Sequence, residues 1–156
     1  MKRATLLLLL LSLAAIASAT DEKEARALPD GKGKDVVAKS CIQCHGAATF
    51  RKQRKELGEW GDTVDDMIDR GAKVPADKVE EVVAYLSKHF GVNAKVQMNT
   101  APLEEIKSVL GFTVPEAQAV VEYRDAHGPY KEWRDVLKVQ GVEASKVEGK
   151  KDAMAF

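Results

Sequence analysis

Residues 41–46 of the chain read CIQCHG and contain both of its cysteines, Cys41 and Cys44, followed directly by His45. Two thiols at this spacing beside an imidazole fit three kinds of chemistry: a disulfide-forming redox pair, half of a zinc site, or covalent attachment of haem. A zinc site would need a second pair of ligands, and the chain has no other cysteine. A thioredoxin-like pair belongs to a βαβ unit, and the sequence shows no strand-like alternation. The pattern therefore favours haem c, with both cysteines attached to the porphyrin and His45 as the proximal ligand of the iron.

The N-terminal segment predicts export. Lys2 and Arg3 precede an apolar run from Leu6 to Ala17, and Ala17-Ser18-Ala19 has the small residues of a cleavage site. The apolar run is shorter than the roughly 20 residues that span a bilayer, although a retained anchor is the alternative. We expect residues 1–19 to be a signal peptide, with no stable membrane span after its removal and a periplasmic or extracellular location.

Without the signal peptide the chain carries 22 basic and 24 acidic side chains, a net charge of −2. This balance gives no overall bias toward nucleic acid or an anionic membrane. Residues 20–32 are charged and contain proline and glycine, so we expect a flexible leader there. Hydrophobic periodicity then predicts three helices in residues 33–91, and a core this small usually needs a cofactor, metal or disulfide to complete it.

Residues 33–91 resemble the small monohaem c-type cytochromes. The elements that carry this resemblance follow the CxxCH motif in order: the basic stretch RKQRK at 51–55, Trp60, Val64, Met67, the RGA at 70–72, and the YL and FG pairs at 85–86 and 90–91. The resemblance implies a three-helix fold with its first and last helices crossing beside the haem. It also implies Met67 as the sixth iron ligand, although Met67 also fits a core position at helical spacing from Trp60.

The basic stretch of residues 51–55 has two possible uses in this interpretation. Arg51 and Arg54 could neutralise haem propionates, with Trp60 donating a hydrogen bond, or they could steer an acidic redox partner. The alternative is a solvated loop.

After a linker at residues 92–98, the segment 99–156 predicts four further helices, over residues 102–110, 115–127, 131–139 and 144–149. Two glycine-containing breaks, at Gly111 and Gly141, separate helices in a near-duplicated pattern. The segment resembles the helix-hairpin-helix module of ComEA-type competence proteins, on the strength of the NTA at 99–101, the WRD at 133–135 and the VQGV at 139–142. The resemblance implies contact of hairpin backbone N–H groups with DNA phosphates, without reading of base sequence.

The hairpin residues that would contact phosphate are Gly111, Phe112, Thr113, Gly141 and Val142, with Lys146 nearby. Two features oppose this interpretation. Each hairpin lacks the second glycine of the family pattern, and Glu143 puts a negative charge where a phosphate would lie. Residues 92–156 carry nine basic and ten acidic side chains, whereas nucleic-acid domains usually have a basic face.

These observations predict an all-α protein with a three-helix cytochrome c domain followed by a small tandem helix-hairpin-helix domain. The expected function is single-electron transfer between redox partner proteins through one covalently bound haem c, with its iron held by His45 and Met67. The second domain would localise this carrier on DNA or on a partner. The alternative is a DNA- or protein-binding adaptor in which haem is mainly structural. An enzyme such as a peroxidase would need an open sixth position, and no distal acid-base pair is evident.

Overall fold

The computed structural model describes residues 22–156, so the predicted signal peptide lies outside the described residues. Helices dominate the described chain, which confirms the all-α prediction. In the first unit these helices are α1 (Lys34–Ser40), α2 (Ile42–His45), α3 (Ala48–Arg51), α4 (Leu57–Asp69) and α5 (Val79–Phe90), with a 3₁₀ turn at Ala76–Lys78 before α5. Helix α4 begins with a capping box between Glu56 and Glu59, which satisfies backbone N–H groups at its first turn.

The core of the first unit forms where α4, α5 and α1 meet. Trp60 is fully buried, and its indole N–H donates a hydrogen bond to the carbonyl of Phe90 at 3.2 Å. This bond fixes the start of α4 against the end of α5. Within the predicted leader, residues 22–27 are helical, Leu28 is buried, and the Tyr85 hydroxyl donates to the carbonyl of Pro29 at 2.6 Å.

The second unit contains α6 (Leu103–Leu110), α7 (Val114–His127), α8 (Trp133–Val136) and α9 (Ala144–Lys150), followed by a 3₁₀ turn at Lys151–Ala153. Its core is a separate cluster that includes Ile106, Leu110, Val120, Val136 and Val147. The predicted helix at residues 131–139 is much shorter in the structure. Lys131 and Glu132 instead lead into a capping box with Asp135, whose carboxylate accepts from the backbone N–H of both.

A parallel pair of two-residue strands closes the second unit. Strand β1 (Val96–Gln97) pairs with β2 (Met154–Ala155), and Val96 faces Met154 in the register. Val96 and Met98, in the predicted linker, are both fully buried in the second core. The linker is therefore a packed part of the second unit over this stretch.

A buried ion cluster joins the two units. Glu105, in the first turn of α6, accepts hydrogen bonds from Arg51 at 2.8 Å and from Arg54 at 2.9 Å. The side chains of Arg51 and Glu105 are each only 2% exposed. Arg51 also donates to the carbonyl of Ala27, so it connects the leader, the first unit and the second unit.

Within residues 22–156, no helix is long and apolar enough to cross a membrane.

Candidate functional site

The first hairpin joins α6 to α7. Gly111 ends α6 with a φ of 74°, a left-handed conformation that glycine adopts without steric cost. Phe112 is buried in the core, and Thr113 is the N-cap of α7. The Thr113 hydroxyl and its backbone N–H both donate to the carboxylate of Glu116, at 2.8 and 2.7 Å. The T-x-x-E sequence thus forms a reciprocal capping box at the start of α7.

The second hairpin joins α8 to α9. Gly141 has a φ of 83°, and Glu143 is the N-cap of α9 without a side-chain capping bond. The Glu143 side chain is exposed, so its negative charge lies at the surface of this hairpin. Like the first hairpin, the second one brings the beginning of a helix to the surface of the unit.

Glu116 links the two hairpins. Lys146, in the first turn of α9, donates to both oxygens of the Glu116 carboxylate at 2.9 Å. The hydrogen bond from Lys146, followed by those from Thr113 and from the backbone N–H of Glu143, lowers the pKa of Glu116 to about 2. The first turns of α7 and α9 therefore lie side by side around one carboxylate.

Two of the groups that were predicted to contact phosphate are already hydrogen-bonded to Glu116. Lys146 and the backbone N–H of Thr113 already have Glu116 as their partner. The exposed lysines of the unit that have no carboxylate within salt-bridge distance, among residues 22–156, are Lys95, Lys131, Lys150 and Lys151. Lys150 follows Lys146 by one helical turn, so it lies on the same side of α9.

The other predicted site lies in the first unit, where the structure brings its residues to one cavity. A mostly apolar cavity of about 440 Å³ is lined by Cys41, Cys44, His45, Trp60 and Met67 among others. Burial, and next the neighbouring Cys44, raise the pKa of the Cys41 thiol to about 11. Cys44 and His45 are exposed, and both cysteines are free.

The backbone around the two cysteines does not form one continuous helix. The chain breaks between α1 and α2 at Cys41, where φ is −111°. Helix α2 then carries Cys44 and His45 on a single turn and ends at Gly46.

Arg51, Arg54 and Trp60, predicted to contact haem propionates or a redox partner, have hydrogen-bond partners within the chain. Both arginines bind Glu105, and the Trp60 N–H binds the carbonyl of Phe90. Arg51 is 1% exposed, so it presents no charge to a partner. The solvated-loop alternative does not describe Arg51 either, because it is the last residue of α3.

Comparison with known proteins bears on the second unit. Residues 91–153 match the family model described as a helix-hairpin-helix motif. The unit that carries both hairpins is therefore a helix-hairpin-helix unit, as the sequence predicted.

Several curated proteins are similar to this chain. An uncharacterized protein of Haemophilus influenzae is 36% identical over 66 residues, which cover 42% of this chain and 59% of that protein. ComE operon protein 1 of Bacillus subtilis is 36% identical over 52 residues, or 33% of this chain and 25% of that protein. Endonuclease/exonuclease/phosphatase family domain-containing protein 1 of Mus musculus is 30% identical over 66 residues, with 12% of its length covered. The chain thus spans less than two thirds of the length of each of these relatives, and no solved structure matches it.

The cofactor prediction is corrected by these findings. The family match is to a helix-hairpin-helix motif, and a ComE operon protein is among the relatives. Within residues 22–156, no three or more His, Cys, Asp or Glu side chains come together to hold a metal ion. The prediction of haem c and iron as cofactors of this chain is therefore wrong.

Sequence reasoning missed two residues that organise the molecule. Glu116 had a recognisable signal, because it stands three residues after Thr113 at the start of a helix, as a capping box requires. Glu105 had no such signal. It follows Glu104 in a first helical turn, and nothing in the local pattern distinguishes the buried carboxylate from the exposed one.

Proposed function

We propose that this protein is a DNA-binding adaptor rather than an enzyme, and that its helix-hairpin-helix unit contacts the DNA backbone without reading base sequence. The observation that carries the proposal is the side-by-side placement of the two hairpins, with Glu116 and Lys146 joining the first turns of α7 and α9. Helix N-termini and hairpin N–H groups favour anions, and a phosphate backbone supplies them at regular spacing.

The charge distribution of the unit predicts weak, salt-sensitive binding. Its net charge is −1, and Glu143 lies exposed at the second hairpin. Lys150, one helical turn after Lys146, and the exposed Lys151 that follows it supply further positive charge. Each phosphate that a lysine neutralises adds about 0.9 to the slope of log affinity against log salt concentration. A double substitution of both lysines should therefore reduce that slope by about 1.8.

The test is fluorescence anisotropy with a labelled DNA duplex over a range of salt concentrations. The K150Q/K151Q variant should show the reduced slope, and Glu143→Gln should bind more tightly than the wild type because it removes a repelling charge. K39Q/K73Q is the matched control, since both of these lysines are exposed in the first unit and lack carboxylate partners. Binding that is absent at low salt, or that responds equally to K150Q/K151Q and to the control, would refute the proposal.

We also propose that the protein acts outside the cytoplasm. The support is the basic, apolar and small-residue pattern of residues 1–19, which lie outside the described part of the chain. Fractionation of the producing cells, with an N-terminal sequence of the recovered protein beginning near Thr20, would test this location.

A second candidate function concerns the cavity of the first unit. We propose that it binds a small apolar ligand, because its lining is mostly apolar and Cys44 and His45 reach it from the exposed side. Native mass spectrometry of the recovered protein should reveal extra mass that is lost on denaturation, and the bound ligand should slow alkylation of Cys44. The bare mass of the chain under native conditions, with Cys44 alkylated as fast as in the unfolded protein, would refute ligand binding there.

A further inference from the structure

Two adjoining grooves follow the boundary between the units. One is lined by Lys52, Arg54, Val92, Asn93, Ala94, Lys95, Ser108, Val109, Asp152 and Ala153. The other is lined by Lys55, Glu56, Ser87, Lys88, Gly91, Val92, Asn93 and Ala94. They share Val92, Asn93 and Ala94, so together they form one continuous depression, which we call the junction groove. Residues from the first unit and from the second unit both line it.

The junction groove is basic in a chain whose charges otherwise balance. Five of its lining side chains are basic and two are acidic. Arg54 has its charge matched by Glu105, at 2.9 Å. Lys55 donates to the Thr63 hydroxyl at 2.6 Å and lies 5.4 Å from the centre of the Trp60 ring. These two residues are therefore structural members of the groove.

The remaining three lysines are available to a ligand. Lys52, Lys88 and Lys95 are exposed, and within residues 22–156 none of them lies within salt-bridge distance of a carboxylate. Three unmatched ammonium groups along one depression create a local positive potential. A polyanion with charges repeated along its length satisfies such a row better than a compact anion does, because the lysines extend along two adjoining grooves.

The groove also lies next to the C-terminal end of α9. Asp152 and Ala153 line it, and they belong to the 3₁₀ turn that begins at Lys151, directly after Lys150 at the end of α9. Helix α9 has seven residues and is thus about 10 Å long at the usual helical rise. The second hairpin, at the beginning of α9, is separated from the groove by less than one turn of B-DNA, whose pitch is about 34 Å.

From this placement we infer that the junction groove is a second contact for the DNA backbone, continuous with the hairpins through Lys150 and Lys151. A bound duplex then lies across both units instead of on the helix-hairpin-helix unit alone. This inference rests on the DNA-binding function proposed above, and it assigns that function to residues of the first unit as well.

The experiment measures the salt dependence of duplex binding for the full exported chain and for K52Q/K88Q/K95Q. Loss of three phosphate contacts should lower the slope of log affinity against log salt by about 2.7. The matched control is K23Q/K39Q/K73Q, which removes the same charge from exposed lysines that line neither groove. Circular dichroism should show both variants folded, since the substituted side chains are exposed and unpaired.

The outcomes separate the two ideas. A slope lowered by K52Q/K88Q/K95Q and unchanged in the control supports the groove. A slope lowered by K150Q/K151Q but not by K52Q/K88Q/K95Q overturns the groove and leaves the hairpin function in place. Equal changes in the groove variant and its control also overturn the inference, because they reflect net charge alone. Absence of salt-dependent binding by the wild type overturns both ideas.

Discussion

Replacing Glu105 with glutamine should sharply lower the stability of the protein. Glu105 is the acceptor for both Arg51 and Arg54, and its side chain is 2% exposed. Glutamine has nearly the same shape but no charge, so the substitution leaves the Arg51 guanidinium buried without a counter-ion. The carbonyl of Ala27 and the Thr100 hydroxyl, Arg51's other partners, are both neutral acceptors.

The size of the effect follows from this burial. Removing one partner of a buried ion pair costs about 3–5 kcal/mol, because the remaining charge is desolvated without compensation. We place the loss for Glu105→Gln at about 3 kcal/mol, since Arg54 is 14% exposed and can recover part of its hydration. For a chain of this length, that loss corresponds to a fall in Tm on the order of 10 °C.

Chemical denaturation gives the measurement. Far-ultraviolet circular dichroism follows helices of both units, and in a Trp133→Phe background the fluorescence of Trp60 follows the first unit alone. The Trp133→Phe protein with Glu105 intact should give coincident transitions in both signals, because the ion cluster joins the two units. In Glu105→Gln the midpoint should fall, and the two signals should separate if the second unit loses its attachment.

Glu104→Gln is the matched control. Glu104 precedes Glu105 in the same helical turn, so both carboxylates have a similar interaction with the helix dipole. The side chains of Glu104 and its partner Lys107 are 46% and 42% exposed, and ion pairs open to solvent contribute about 0–1 kcal/mol. A Glu105→Gln protein whose free energy of unfolding lies within about 0.5 kcal/mol of the Glu104→Gln protein would refute the role given to this cluster.

Three further predictions test other parts of the fold. Burial, and then the positive charge of Lys88, lower the pKa of His89 from its usual 6.5. The protein should therefore have its full stability above about pH 6.5 and lose stability as the pH falls further, because the unfolded chain binds a proton more readily. In denaturation curves recorded from pH 7 to pH 5, His89→Gln should abolish this loss. Gly141→Ala should lower the free energy of unfolding by about 1–2 kcal/mol, because the backbone at Gly141 has a φ of 83°. Gly149→Ala, at a helical position with open space for a methyl group, should stabilise the protein slightly. Equal effects of the two substitutions in thermal denaturation would contradict the left-handed turn at Gly141. Tyr130→Phe should cost about 1 kcal/mol by the same assay, since the buried hydroxyl donates to the carbonyl of Val120 at 2.7 Å, and an unchanged Tm would show that this bond contributes nothing.

The sequence was most informative where helix ends have chemical signals. The helices at 103–110 and 114–127 lie within one residue of their predicted bounds, because Gly111 and the Thr113–Glu116 capping box mark the break between them. It was least informative at residues 131–139, where local hydrophobic spacing suggested a helix but only Trp133–Val136 is helical. Hydrophobic periodicity indicates which face of a helix is apolar, but it does not indicate at which residue the helix ends.

The contacts between distant parts of the chain were outside the reach of sequence patterns. Arg51 and Glu105 are 54 residues apart, and each one alone resembles an ordinary surface charge. The motif at residues 41–45 shows that a short pattern can also predict more than the whole chain supports. The structure does gather its residues with Trp60 and Met67 around one cavity, but the cofactor inferred from the short motif is the prediction that the comparisons corrected.

The parallel pairing of β1 with β2 has a consequence for how the second unit is built into proteins. The chain enters this unit at Val96 and leaves it beside the same point at Met154, running in the same direction both times. A folded unit whose entry and exit are neighbours can be inserted as a cassette into a surface loop of an unrelated host with little distortion of either partner.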